Sequence, residues 1–148
     1  LVKLREDITP WLNSLSRQLD DLKPSMAEAG ELMTTKIRES HNAQRGLADG
    51  VEFKSLEPAS EKAKERKGGN PARVLFMRGN MFGSWRRIRT TKTLVQVGAG
   101  ASGREAKKAS RHDDRLRIGW NDKLHGEIAD GFLGDFWKRV KDKSPKKL

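Results

Sequence analysis

The chain of 148 residues contains no cysteine. Disulfides and thiolate-held metals are therefore excluded, and a reducing compartment is allowed. No apolar run approaches the ~18 residues that would cross a bilayer, so no membrane partner is expected. The opening Leu1-Val2-Lys3-Leu4-Arg5-Glu6-Asp7 brings acids too early for a signal peptide and lacks its apolar stretch. Synthesis in the cytoplasm is expected, and the absent initiator Met is read as processing or as a first residue outside the chain. No serine sits in a nucleophile elbow, and no thiol is there to replace it. Apolar residues are also scarce: Leu, Ile, Val and Phe make up about one fifth of the chain. That is just above the level at which high net charge begins to favour disorder. One core is possible at this length, carrying segments that settle only against a partner.

What the chain has in excess is positive charge. The net charge is +11, distributed as −1 over residues 1–50, +7 over 51–100 and +5 over 101–148. Such a surface is either simply solvated or turned toward something anionic, nucleic acid or an acidic protein face. Trp85-Arg86-Arg87 and Phe136-Trp137-Lys138-Arg139 mix aromatics with cations, as single-strand binders do. Both sets of aromatics also fit the inner stripe of a short helix. Core packing is the preferred reading, with the basic neighbours facing outward.

Helical periodicity dominates the first third. Thr9-Pro10 reads as a helix start. Ile8, Trp11, Leu12, Leu15, Leu19 and Leu22 form one apolar stripe. Lys23-Pro24 interrupts it, and Ser25 with Glu28 fits a capping box for a second helix lined by Met26, Ala29, Met33 and Ile37. Gly30 within that helix suggests a close helix crossing. The two helices should form a hairpin or a kinked pair. Asp49-Gly50 is a turn signal. Residues 60–67 read as a solvated helix or mobile loop, residues 71–77 as a turn or two of helix with Val74 and Leu75 inward. Residues 81–88 read as a short helix with Phe82, Trp85 and Ile88 inward. Residues 93–97 are the best strand and 116–120 the second best. Their natural pairing is an antiparallel hairpin with a long mobile tip over 98–115. Ile128, Phe132, Phe136 and Val140 argue for a C-terminal helix, which Gly131 and Gly134 weaken. The expected fold class is α+β: an N-terminal helical hairpin or kinked helix on a small antiparallel sheet, then a C-terminal helix and basic tail. Residues 1–137 are expected to form a single domain, and 138–148 the tail.

Gly98-Ala99-Gly100-Ala101-Ser102-Gly103 fits the dinucleotide-binding G-x-G-x-x-G pattern after a strand. The residues that follow have no apolar face and no βαβ alternation surrounds them. A flexible hairpin tip is therefore preferred, and no cofactor is expected. His112-Asp113-Asp114 and His125-x-Glu127 can be drawn as a metal site, but no ligand pair stands at i, i+4 spacing. These histidines and His41 are read as solvated side chains. No catalytic residue is expected and the chain is not read as an enzyme.

One ordered series of short marks carries more. The helical stretch Ile37-Arg38-Glu39-Ser40-His41-Asn42-Ala43-Gln44-Arg45 runs into Asp49-Gly50. Then come Phe53 and Leu56, a basic run over residues 62–67, Met81-Phe82, Arg89-Thr90 and Leu94. In order and spacing, over residues 8–97, this resembles the phage virion morphogenesis family, the tail-completion proteins of Mu-like and related tailed phages. In that family Pro-Asp-Gly precedes the aromatic, where this chain has Leu47-Ala48-Asp49-Gly50. The family's later Ile-Ala then His is here Ile128-Ala129-Asp130-Gly131-Phe132, without the His.

The resemblance implies a structural protein of the neck or tail top, which completes the tail and helps join tail to head by binding rather than catalysis. Its implied partners are copies of itself in a ring matching the sixfold tail tube, a tail terminator or tail tube protein, and a head–tail connector or adaptor protein. DNA passing the channel would be met without sequence readout. Location in the virion tail or neck follows, after assembly in the host cytoplasm. Arg86, Arg87, Arg89, Lys107, Lys108, Arg111, Lys138 and Arg139 are the candidate partner-facing or DNA-proximal basic surface. The alternative is a basic nucleic-acid-binding protein without sequence specificity.

Overall fold

The computed structural model describes residues 2–47, 49–74, 83–99 and 121–143. Their order is α1 (Val2–Asp20), α2 (Lys23–Asn42), α3 (Pro58–Arg66), β1 (Trp85–Thr90), β2 (Val95–Ala99) and α4 (Asp122–Lys143). This is an α+β arrangement of helices with a two-stranded antiparallel sheet.

The first helix does not start at Thr9-Pro10. It begins at Val2 and carries Pro10 inside it. Proline's fixed φ is helical, so the cost of passing through it is a missing N–H bond and crowding with the preceding turn. The break before α2 is only Asp21 and Leu22. The Asp21 N–H still donates to Arg17 O, the Met26 N–H to Leu22 O, and Leu22 keeps right-handed helical backbone (φ −79°, ψ −7°). The junction is thus a bend in a nearly continuous helical path, the kinked form of the expected pair. Ser25 is not the cap of α2, since the cap position falls on Leu22.

α2 forms the middle layer. Gly30, Thr34, Ile37 and His41 share one side and face the sheet, whereas Ser25, Leu32 and Lys36 lie roughly 150° away around the helix and face α4. Two glycines set these layers close together. A β-carbon at Gly30 would lie 2.5 Å from Cγ2 of Val95, and one at Gly131 would lie 2.6 Å from Cδ2 of Leu32. The close crossing at Gly30 is therefore made with a strand. The helix crossing falls at Gly131, a residue that weakens α4 locally but admits α2. Lys36 Nζ and Glu127 add an ion pair of 2.7 Å across the same helix contact.

The core gathers along both sides of α2. Ile37, His41, Phe53 and Trp85 lie toward the sheet, and Ala29, Leu124, Phe136 and Val140 toward α4. Phe53 reaches it because the chain turns back after α2. Gly50 takes φ +66°, the Val51 N–H donates to the Asp49 carboxylate at 3.0 Å, and Phe53 N–H donates to Gln44 O. The turn at Asp49-Gly50 is as expected from the sequence.

The region after it holds the largest differences. Residues 60–67 fall mostly within α3, where Lys64 is buried with its Nζ donating to the Arg73 carbonyl. Burial pushes the Lys64 ammonium below its ordinary pKa, and the neighbouring Arg73 acts in the same direction. The short helix expected over 81–88 is replaced from Trp85 onward by β1. A six-residue segment fits either period, and Trp85 meets its core position from a strand. The partner of β2 is consequently β1, joined by a tight turn in which Thr91 Oγ1 accepts from the Leu94 N–H at 2.9 Å. The expected partner over 116–120 lies outside the described residues, as do Met81, Phe82 and residues 100–115 of the expected hairpin tip. Gly98 and Ala99 belong to β2. α4 continues through Lys143 with Val140 only 2% exposed, so residues 138–143 are helix and not tail; residues 144–148 lie outside the described set.

Candidate interaction surface

The strand β1 sorts the arginines onto two faces. Trp85 pairs with Ala99, Arg86 with Gly98, Arg87 with Val97, Arg89 with Gln96 and Thr90 with Val95. Ile88 is the extra residue, a β-bulge between Arg87 and Arg89. Strict alternation would turn Arg89 toward α2 and Thr90 to solvent. The bulge reverses both. Trp85, Arg87, Thr90 and Val95 face α2, while Arg86, Ile88, Arg89 and Gln96 face away from it.

On the inner face, Trp85 packs edge-on to His41 with ring centroids 6.1 Å apart, and its carbonyl accepts from Arg38 Nη2 at 2.6 Å. Phe53 flanks the same imidazole at 6.0 Å. His41 is 1% exposed, so the expectation of a solvated histidine is corrected. Burial lowers its pKa from 6.5 to about 4, and it is neutral at pH 7. Arg87 lays its stem over Gly30 and pairs with Glu31 at 3.7 Å. It is a half-exposed, layer-spanning ion pair, turned to the opposite face of β1 from Arg86 and Arg89.

The outer face is different in kind. Ile88 is 60% exposed and lies across Gly98, with its Cδ1 at 2.5 Å from where a β-carbon would stand. Arg86 and Arg89 flank it, both exposed, and neither bonds to any described residue. Ile88 was expected inward and is found at the centre of a cationic surface.

On α4 the two candidate cations also part. Lys138 is exposed. Arg139 donates from Nε to Asp135 Oδ2 at 2.5 Å, and the same oxygen accepts from the buried Ser25 hydroxyl at 2.8 Å. Burial alone would raise the Asp135 pKa. The bonds from Arg139 and Ser25 outweigh it and hold the carboxyl below its ordinary value. This network ties the first turn of α2 to α4. Trp137, expected inward, is 51% exposed, while its neighbour Phe136 fills the core. Lys107, Lys108 and Arg111 lie outside the described residues, as does His112; His125 is exposed. Sequence reasoning missed Arg38 and Asp135, whose roles depend on partners 47 and 110 residues away.

α1 presents a second open surface. Its most buried described side chains are the polar Ser14 and Gln18, while Leu12 and Leu19 are 47% and 55% exposed. The apolar stripe is thus rotated away from the packed face, by about 130° for those two leucines.

The described residues therefore define an α+β protein with exposed apolar and cationic side chains on the sheet and on α1. Across the described residues no helix is long and apolar enough to cross a membrane. The chain belongs to the phage virion morphogenesis family, whose sequence profile matches residues 4–123. It is a bacteriophage protein of virion morphogenesis. Among curated proteins and solved structures, none matches the chain.

Proposed function

We propose that the protein is a structural component of the neck or tail top, which completes the tail and helps join it to the head. The observation that carries this reading is the family match over residues 4–123. The layout of the molecule supports binding as its mode of action. Ser25, Asp135 and Arg139 are engaged in holding α2 to α4, and its open faces mix cations with apolar side chains. The partners are copies of itself in a ring, a tail terminator or tail tube protein, and a head–tail connector; it has no catalytic role. Electron microscopy of particles made without the protein tests this. Heads and tails should accumulate separately, and joined particles of normal yield would overturn the proposal.

The second reading, non-specific nucleic-acid binding, draws on the exposed Trp137 beside Lys138. Trp85 supplies no stacking surface, because it faces His41. This reading requires affinity for single-stranded DNA that falls steeply with salt and is reduced by Trp137→Ala.

A further inference from the structure

We propose that the outer face of the β1–β2 sheet docks on the α1 face of a second copy of this chain, in a head-to-tail contact. The inference deepens the assembly reading and rests on it.

Two observations made on separate elements fit each other. The sheet contributes an apolar centre, Ile88, between the exposed cations Arg86 and Arg89, which bond to no described residue. α1 contributes the exposed Leu12 and Leu19, on a helix that buries Ser14 and Gln18 instead. A helix that hides polar side chains and shows leucines is packed for a second neighbour beyond its own core. The charge at that place is of the required sign. The leucine stripe runs out at the exposed Asp20 and Asp21, the second of which also acts on Arg139 of its own chain. Arg17, the basic residue of the last turn of α1, projects from roughly the opposite side of the helix.

Nucleic acid fits the sheet face less well. That face offers an isoleucine where a base would need an aromatic ring, since Trp85 points inward. Because the two faces belong to different elements, the contact is heterologous. Repeated, it closes into a ring or grows as a filament.

Sedimentation velocity of the full purified chain, at low and moderate salt, tests the contact apart from the phage. The wild type should associate in a concentration-dependent way that weakens with salt. Arg86→Glu with Arg89→Glu, and separately Asp20→Lys with Asp21→Lys, should each weaken association by about tenfold or more. Mixing the two variants, or placing all four changes on one chain, should restore it, because the charges again match. Ile88→Asp should weaken association without charge reversal on the arginines. Circular dichroism will show whether each variant keeps its helices. A monomeric wild type, association unmoved by the variants, or failure of the mixture to restore it would each overturn the contact. So would loss of DNA binding by the arginine pair with self-association intact. If the contact holds and particles lacking the protein still join normally, the neck reading fails instead.

Discussion

Gly30 of α2 and Val95 of β2 stand so close that a β-carbon on the glycine would lie 2.5 Å from Cγ2 of the valine. Arg87 is also against this position, at 3.1 Å through Cδ. At this position α2 therefore meets the sheet over its backbone and not over a side chain of its own. Everything the sheet presents outward depends on this approach, because it fixes which face of β1 is covered.

Gly30→Ala should destabilise the protein by about 1–3 kcal/mol, the usual cost of overpacking, although alanine is the better helix former. A β-branched valine held in a strand has little freedom to withdraw. Val95→Ala on the same chain should recover much of the loss. Gly131→Ala should cost less or nothing, because its contact is the flexible end of Leu32. Urea denaturation of the four chains measures the order.

Stability should fall on mild acidification. His41 is held neutral by burial with its pKa lowered from 6.5 to about 4. The unfolded chain therefore takes up this proton first. The contribution is complete above pH 6.5 and is lost as pH falls toward 4, amounting to about 3 kcal/mol at most. His41→Leu should flatten this slope, as read from urea midpoints between pH 8 and pH 4.

Asp135→Ala should cost about 1–3 kcal/mol, because it leaves the buried Ser25 hydroxyl without its acceptor and frees Arg139. Asp135→Asn keeps an acceptor and should cost less. Since the Asp135 carboxyl is held below its ordinary pKa of 3.8, its contribution is present above that value and lost as pH falls below it. Denaturation of both variants at pH 7 and pH 3 checks magnitude and direction.

Trp85 and Trp137 should differ strongly as fluorophores. A variant retaining only Trp85, 7% exposed, should emit to the blue and resist acrylamide. One retaining only Trp137, 51% exposed, should emit to the red and be readily quenched. Equal quenching would contradict the inward placement of Trp85.

The long elements were legible in the sequence. The periodicity of α2 and α4 extends over five or six turns, and no alternative period fits so many residues. The β-branched character of β2 was legible too, and the turn at Asp49-Gly50 is local chemistry. Trp85-Arg86-Arg87-Ile88 was not, because four residues satisfy a helix and a strand alike. Which one forms is settled by pairing with β2 and by the ring of His41, both distant in sequence. The candidate surface divided for the same reason. Arg86, Arg87 and Arg89 look equivalent in the sequence, yet one bulged residue and one glycine on another element turn Arg87 toward α2 and Glu31 and leave the other two on the outer face.

The sequence by itself determined the scarcity of core, the excess of positive charge, the helical first third and the C-terminal helix, because composition and periodicity are properties of neighbouring residues. Only the tertiary structure decided that β1 and not a helix follows, that His41 is buried, and that Leu12, Leu19 and Ile88 face outward. Those outcomes depend on contacts between residues far apart in the chain, and α2, with a glycine and a histidine on one side and Ser25 on the other, is where they meet.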